Sequence, residues 1–413
     1  MDNYSQEINK ENIIVSVDIG ASKIDVIMGI LEENNRIRIL ASGTEDLKVG
    51  STSDLQTTVD ALKKAVSDAE LMTGEDIKNV YVGIAGNNLQ VIHGHGSTIP
   101  ETGEVRAIDI ETAVKNAAAV PPTAGEIIHI FQENFKLDEQ PELYKNPINM
   151  SCSKLTALVH VVVVPKNILD NTRKCIEQAG LVLEGFALEP YAAGLAILSE
   201  EEKELGVAVL DIGASSSDLA LFKGDSVWHT ASLGAGGFSV TSDITKSFQV
   251  PIAISRAEEM KKQHGTCDNS NLIQDDTITV PGVGDRGEIP CSRKLLSQVM
   301  INRFKQIFQL YSDYLKKQKL ESELSAGIVL TGGCASIEGI AALAESIFGL
   351  PVSCGKPKEN YEGVNTPSHS VGVGLLYFAS LKRSVKVKST KKQSIVAMKS
   401  LWQRIFDFFR GII

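Results

Sequence analysis

A chain of 413 residues, 43% hydrophobic and 22% charged, is long enough for two or more packed domains and has the composition of a soluble globular protein. Its 41 basic and 51 acidic residues leave −10, an acidic balance that argues against general nucleic-acid binding. Six cysteines (Cys152, Cys175, Cys267, Cys291, Cys334, Cys354) show no metal-like spacing and read as reduced, buried thiols; residues 1–12 show no signal peptide, and no apolar run approaches the roughly 20 residues of a spanning helix.

The first predicted element is a β-hairpin. Ile13-Ile14-Val15 leads into Val17-Asp18-Ile19-Gly20-Ala21-Ser22-Lys23-Ile24-Asp25 and out through Val26-Ile27-Met28. Its tip has readable chemistry. Gly20 lets backbone approach a ligand, consecutive N–H groups around Ala21 can form a concave anion site, and Ser22 and Lys23 add donors. Asp18, at the strand end, suits Mg²⁺.

Further along, Leu55, Val59, Leu62, Val66 and Leu71 recur at near-helical spacing over residues 54–71, and Val80 to Gly86 reads as a buried strand and turn. A helix over Ile108–Ala119 is stopped by Pro121-Pro122. Strands follow at Ile127–Phe131 and Leu155–Val164, with a turn at Lys145-Asn146-Pro147-Ile148 between them. The second strand is nearly all apolar, as one buried on both faces would be, and His129 reads as a packed strand residue. Lys166–Gly180 reads as a helix ending at a glycine cap, and Glu189-Pro190 opens another, where a glutamate is by itself a favourable dipole partner.

Then the hairpin returns. Leu210-Asp211-Ile212-Gly213-Ala214-Ser215-Ser216-Ser217-Asp218 repeats the order Asp-Ile-Gly-Ala-Ser, two residues, Asp, again between apolar runs. Asp211 takes the place of Asp18 as a metal candidate, with Gly213, Ala214, Ser215 and Ser216 at the tip. Two copies about half a chain apart suggest two similar domains facing each other across one nucleotide. After this copy come turn glycines at Gly234–Gly237 and a helix ending near Gly265, on which Glu258 and Lys261 share a face and read alone as a solvated ion pair. Ser292–Lys319 reads as a long helix whose apolar face includes Leu295, Phe304, Phe308 and Tyr311, with Arg293, Lys294, Arg303 and Lys305 on a solvated face. Gly327 to Ser336 is a strand running into the turn Gly332-Gly333.

The doubled hairpin resembles the actin/Hsp70/sugar-kinase superfamily. Within it Gly103-Glu104-Val105 with its helix, Glu126-Ile127-Ile128-His129, Lys145-Asn146-Pro147 and Ala257–Gly265 resemble the FtsA family of bacterial cell-division proteins, over about residues 13–380 plus the tail. The resemblance implies an α/β, actin-like (ribonuclease H-like), duplicated two-lobed ATPase fold with ATP and Mg²⁺ as ligands. It divides the chain into subdomain IA (1–87 and 164–205), an FtsA-type IC (88–163), IIA (206–237 and 325–381) and IIB (238–324). It gives Glu189 the positioning of metal-bound or attacking water, brings Gly236 and Gly237 to the nucleotide's border, and sets Glu258 and Lys261 against ribose and adenine. Gly332, Gly333 and Ser336 fall in the adenosine motif, and Arg293, Lys294 and Arg303 on the face that takes the acidic C-terminal peptide of the tubulin homologue FtsZ. Ala214 and Ser215 stand where the superfamily usually has glycines, so ATP hydrolysis is expected to be slow at most.

Residues 382–410 hold nine Lys/Arg and one acid, leaving the remainder, with 32 basic and 50 acidic residues, at −18. Residues 382–397 read as a flexible basic linker and 398–413 as an amphipathic helix. At 100° per residue Leu401, Trp402, Ile405, Phe406, Phe408, Phe409 and Ile412 fall on one side, with Arg404 and Arg410 opposite, the pattern of a helix lying in a membrane interface. The expected function is an actin-like protein that self-associates into filaments on the cytoplasmic face of the bacterial membrane at the division site. There it tethers FtsZ and recruits later division proteins through IC. The alternative is a sugar kinase or Hsp70-like ATPase of the same superfamily.

Overall fold

The computed structural model describes residues 12–390 apart from 33–35, 49–53, 87–88, 120–124, 249–251, 271, 273–275, 282–286, 360 and 362. The amphipathic helix expected over 398–413, the Pro121-Pro122 stop, the polar stretch before residue 12 and the tip of the turn after Val280 lie outside the described residues.

Strands β1 (Ile13–Ile19) and β2 (Lys23–Leu31) form the first hairpin, and β3 (Ile37–Asp46) extends it. Helix α1 (Leu55–Thr73) starts at Asp54, whose carboxylate accepts from the Gln56 and Thr57 N–H groups, and β4 (Asn79–Ile84) returns parallel to β1. An insert follows: β5 (Gln90–Thr98), α2 (Ala107–Ala118), β6 (Gly125–Leu137) and β7 (Leu155–Pro165) build an antiparallel sheet ordered β5-β7-β6. The chain re-enters the lobe through α3 (Lys166–Gln178) and β8 (Val182–Leu188), giving the order β3-β2-β1-β4-β8.

Helices α4 (Glu189–Ile197) and α5 (Glu200–Leu205) lead to the second lobe. There β9 (Val207–Ile212), β10 (Ser217–Lys223) and β11 (Ser226–Leu233) repeat the opening meander. A helical layer then interrupts: α6 (Gly237–Ser247), α7 (Ile254–His264), the small hairpin β12 (Thr277–Pro281) and β13 (Glu288–Ser292), and α8 (Arg293–Gln318). Strand β14 (Ile328–Thr331), α9 (Ile340–Phe348) and β15 (Val352–Cys354) complete a sheet ordered β11-β10-β9-β14-β15. Helix α10 (Ser370–Thr390) returns to pack on β1, β2, β4 and α4. The two five-stranded sheets share one topology, antiparallel at the hairpins and parallel at the added strands, so the sequence repeat is a repeat of fold.

Burial explains why these strands are apolar throughout. On β1 and β2, Val15, Val17, Val26 and Met28 face α1, whereas Ile14 and Ile27 face α4 and α10. In the second lobe Val207, Val209 and Phe222 join that same middle core, and Ala208, Leu210 and Leu221 face the outer helices. In β7, Leu155, Ala157, Val159, Val161 and Val163 pack under α2 and Val162 and Val164 join the middle core; period-two alternation with both faces covered leaves no polar face.

Four expectations need correcting. Residues 382–390, read as flexible linker, continue α10: Lys, Arg and Val extend a helix already nucleated by its docked first turns. Leu71 and Leu295 are exposed, since at the ends of α1 and α8 the apolar stripe overruns its neighbours. Among the cysteines Cys354, at the end of edge strand β15, is exposed while the other five are buried.

Candidate functional site

The two hairpin tips define the site. In each, the two aspartates of the repeat sit directly across the ladder, Asp18 opposite Asp25 and Asp211 opposite Asp218. Only the first of each pair is a metal candidate from the sequence. The second tip closes through the Gly213 N–H donating to the Ser216 carbonyl (3.0 Å), and α6 abuts it, with the Gly237 and Phe238 N–H groups donating to the Gly213 (3.0 Å) and Ala214 (2.7 Å) carbonyls. A Cβ on Gly236 would lie 2.8 Å from the Ser216 carbonyl and 3.0 Å from that of Ala214, so this approach of loop to tip needs glycine. Gly332, at φ +81°, has the same constraint: a Cβ there would run into Asp211 Oδ1. Ser336, like Gly333, is exposed on the 3₁₀ turn Gly333–Ser336, and Cys334 between them is buried with its thiol 3.6 Å from the Gly213 carbonyl.

Ser215 is exposed at the tip, whereas Ser216 is buried and donates to Asp218 (2.8 Å), turning away from any ligand. Gly20, Ala21 and Ser22 are half-buried at the first tip. Lys23 there pairs with buried Asp25 and donates to Ser368 Oγ (3.2 Å).

Four carboxylates converge between the tips. Burial, with Asp25 beside it, pushes Asp18 up from 3.8 to about 7 against the pull of Lys23. Burial pushes Asp211 well above its ordinary range, with Asp218 and Asp18 adding to it. Asp218 is raised by burial and held back by the Ser232 and Ser216 hydroxyls and the Gly86 N–H. Glu189, first residue of α4, is raised by burial and then by all three aspartates. Its backbone is held from the insert: the Leu188 N–H donates to His129 Nε2 (2.9 Å), and burial pushes that imidazole down to about 3. Such an oxygen-only set suits a hard divalent cation reached largely through retained waters, which would relieve the repulsion that adds to burial at Asp18, Glu189 and Asp211.

Glu258 and Lys261 are not a solvated pair. Lys261 is buried and donates to Glu258 (2.7 Å), the Gly237 carbonyl (3.0 Å) and Thr241 Oγ1 (3.0 Å), and Thr241 also donates to Glu258. The network locks α7 onto the start of α6 beside the second tip. On α8, Lys294 is exposed, but Arg303 is held by Asp243 of α6 in a two-pronged pair (2.6 and 2.9 Å), and Arg293 donates to the His264 carbonyl (3.2 Å) and pairs with Asp276 (3.4 Å). Leu401, Trp402, Arg404, Ile405, Phe406, Phe408, Phe409, Arg410 and Ile412 lie outside the described residues.

Comparison with known proteins agrees with the topology. The family profile "Cell division protein FtsA" matches residues 208–374, and "SHS2 domain inserted in FTSA" matches 86–163, the span of the inserted sheet. The chain is 36% identical over 380 residues to a cell division protein FtsA from Neisseria meningitidis, covering 90% of this chain and 91% of that one. It is 35% identical over 384 residues to one from Pseudomonas aeruginosa, covering 91% of each. Among solved structures, a PilM–PilN type IV pilus biogenesis complex superposes at TM-score 0.61 and 18% identity over 89% of this chain and 98% of that one. MreB5 of Spiroplasma citri bound to ADP does so at 0.55 and 15%, over 92% and 99%. These structures share the actin-like fold. With sequence identity running nearly end to end, and with the duplicated sheets and the family's own insert in place, the chain belongs to the FtsA family of cell division proteins.

Proposed function

We propose that the chain binds Mg²⁺–ATP between its two hairpins and self-associates into filaments on the cytoplasmic face of the membrane, where it tethers FtsZ during division. The observation that carries the nucleotide reading is the convergence of Asp18, Glu189, Asp211 and Asp218 from both repeats. On this reading Asp18 and Asp211 hold the metal, largely through water, and Glu189 orients a water near it. The metal would neutralise phosphate charge. Gly20, Ala21, Ser22, Gly213, Ala214 and Ser215 offer backbone and hydroxyl donors to phosphate oxygens, and Gly332, Gly333 and Ser336 border the adenosine. Lys261 and Glu258, tied to each other and to α6, form the floor on which ribose would rest. Nucleotide then governs closure of the lobes and self-assembly more than turnover.

The subdomain division given above, with IC as the recruiting module for later division proteins and IIB as the seat of the FtsZ C-terminal peptide, belongs to this proposal. So does the anchoring of residues 398–413 in lipid. Among the described residues no helix is long and apolar enough to cross a membrane, which fits attachment by a tail lying on the surface. Calorimetric titration of the full chain with ATP in magnesium is the direct test: one site per chain is expected, weakened at least tenfold by Asp211→Ala. No nucleotide uptake with or without magnesium would end this reading.

A further inference from the structure

A second group of metal-ligating side chains lies away from the cleft, where the insert meets the second lobe. Its geometry comes from the register of the inserted sheet. His93 on β5 sits directly across the ladder from His160 on β7. Glu133 comes from β6, at the register shift between Gln132 and Asn134, where the extra residue turns its carboxylate toward His93. His93 Nδ1 and Glu133 Oε1 are 3.1 Å apart, and one ligand atom from each of His93, Glu133 and His160 lies within 4.8 Å of the other two.

His160 is fully buried. Its Nε2 is 3.1 Å from Thr230 Oγ1 of β11, while its Nδ1 has no hydrogen-bond partner among the described residues. A buried imidazole nitrogen without a partner is a cost that a strand residue need not carry, since a valine would fill the position without it. With the ring proton on Nε2, donated to Thr230, the Nδ1 lone pair is left free, as for a metal-binding histidine oriented from behind by an oxygen acceptor. Burial, then the neighbouring His93 and His229 rings, push His160 down to about 3. His93 is exposed, which leaves an entry path, and the His229 ring of β11 lies 4.9 Å from the His93 ring.

We propose that His93, Glu133 and His160 form a site for a divalent transition-metal cation of the zinc class, with Thr230 of the second lobe orienting His160 and His229 beside the open fourth position. Two imidazoles and a carboxylate suit Zn²⁺, whose tetrahedral ligands stand about 3.3 Å apart, so the side chains need to close up by at most about 1.5 Å. All three ligands belong to the insert, and the second lobe touches the site through Thr230 behind His160 and the His229 ring of β11. The site shares no residue with the carboxylate cleft, and its occupancy is separable from nucleotide binding.

The test uses the full chain freed of metal with a chelator and then titrated with Zn²⁺ or Co²⁺ under excess Mg²⁺, which keeps the carboxylate cleft occupied. One equivalent of tight uptake is expected, with the visible absorption of low-symmetry four-coordinate cobalt. His93→Ala, at an exposed position, and Glu133→Gln, at a half-buried one, should each weaken uptake at least tenfold. Thr230→Val should weaken it less, and His95→Ala, an exposed neighbour on β5, should leave it unchanged. Absence of stoichiometric uptake, or uptake equal in wild type, His93→Ala and Glu133→Gln, would overturn the proposal.

Discussion

Asp18, Glu189, Asp211 and Asp218 place like charge where solvent is scarce, and the consequence for pH has a definite sign. Each carboxyl is raised in the folded chain, so between its ordinary value and the raised one the folded state holds more protons than the unfolded. For Asp18 that window runs from 3.8 to about 7, and across it the cluster's contribution to the metal-free protein is lost as pH rises. Asp211→Asn removes one of the repelling charges. It should raise the thermal midpoint of the metal-free protein at pH 7 to 8 while costing Mg²⁺-dependent nucleotide affinity at least tenfold. Melting curves with and without Mg²⁺–ATP would show a lowered midpoint in both if the cluster is merely structural. His129 works in the opposite direction: its imidazole is pushed from 6.5 to about 3, so the unfolded chain takes up a proton there that the folded chain refuses, and stability is lost as pH falls below about 6.5. His129→Leu leaves the Leu188 N–H without its acceptor, which should cost about 1–3 kcal/mol and free the backbone just before Glu189. Denaturant titration checks the first effect and a weaker response of the nucleotide site to Mg²⁺ the second.

Among elements, α8 gives the sharpest prediction. Arg303 clamps α8 to α6 through Asp243, so Arg303→Glu would set two carboxylates against each other and cost about 1–3 kcal/mol before any partner is involved. Charge reversal at Lys294 and Lys305, both exposed, should instead leave the melting midpoint within about 2 °C and weaken capture of an acidic FtsZ tail peptide, as read by fluorescence anisotropy. Capture unchanged in that double variant would move the docking face elsewhere. The elements themselves were legible because their signals are local. Both hairpins follow from apolar runs around a glycine tip, and α1 and α8 follow from helical periodicity after a capping residue, Asp54 or Ser292. What brings distant chain together was not legible. Arg303 and Asp243 are 60 residues apart, the burial of Lys261 depends on how α7 lies on α6, and the aspartates at 25 and 218 gain meaning only from facing 18 and 211.

At the scale of the molecule, duplication was readable because the motif repeats, and the middle core shows what holds the copies together: α4 is covered by strands of both lobes and α10 packs on it and on the first lobe. The proposed anchor belongs to this scale, because a short interfacial helix binds reversibly and many copies in a polymer would multiply its hold. Removing residues 398–413 should abolish co-sedimentation with anionic vesicles and leave ATP uptake intact; sedimentation that persists would place the lipid contact elsewhere. Helix α10 gives the arrangement a mechanical side. Its first residue accepts from Thr331 of the second lobe (Ser370 Oγ, 2.8 Å), and Ser368, just ahead of it, accepts from Lys23 of the first (3.2 Å), while the body of the helix lies along β1 and β2. A rod of 21 residues is about 31 Å long, so tilting its root by about 10° carries its far end about 5 Å. On the proposed reading, a small rotation at the crevice would arrive amplified at residue 390, and a pull applied there would return along the same lever.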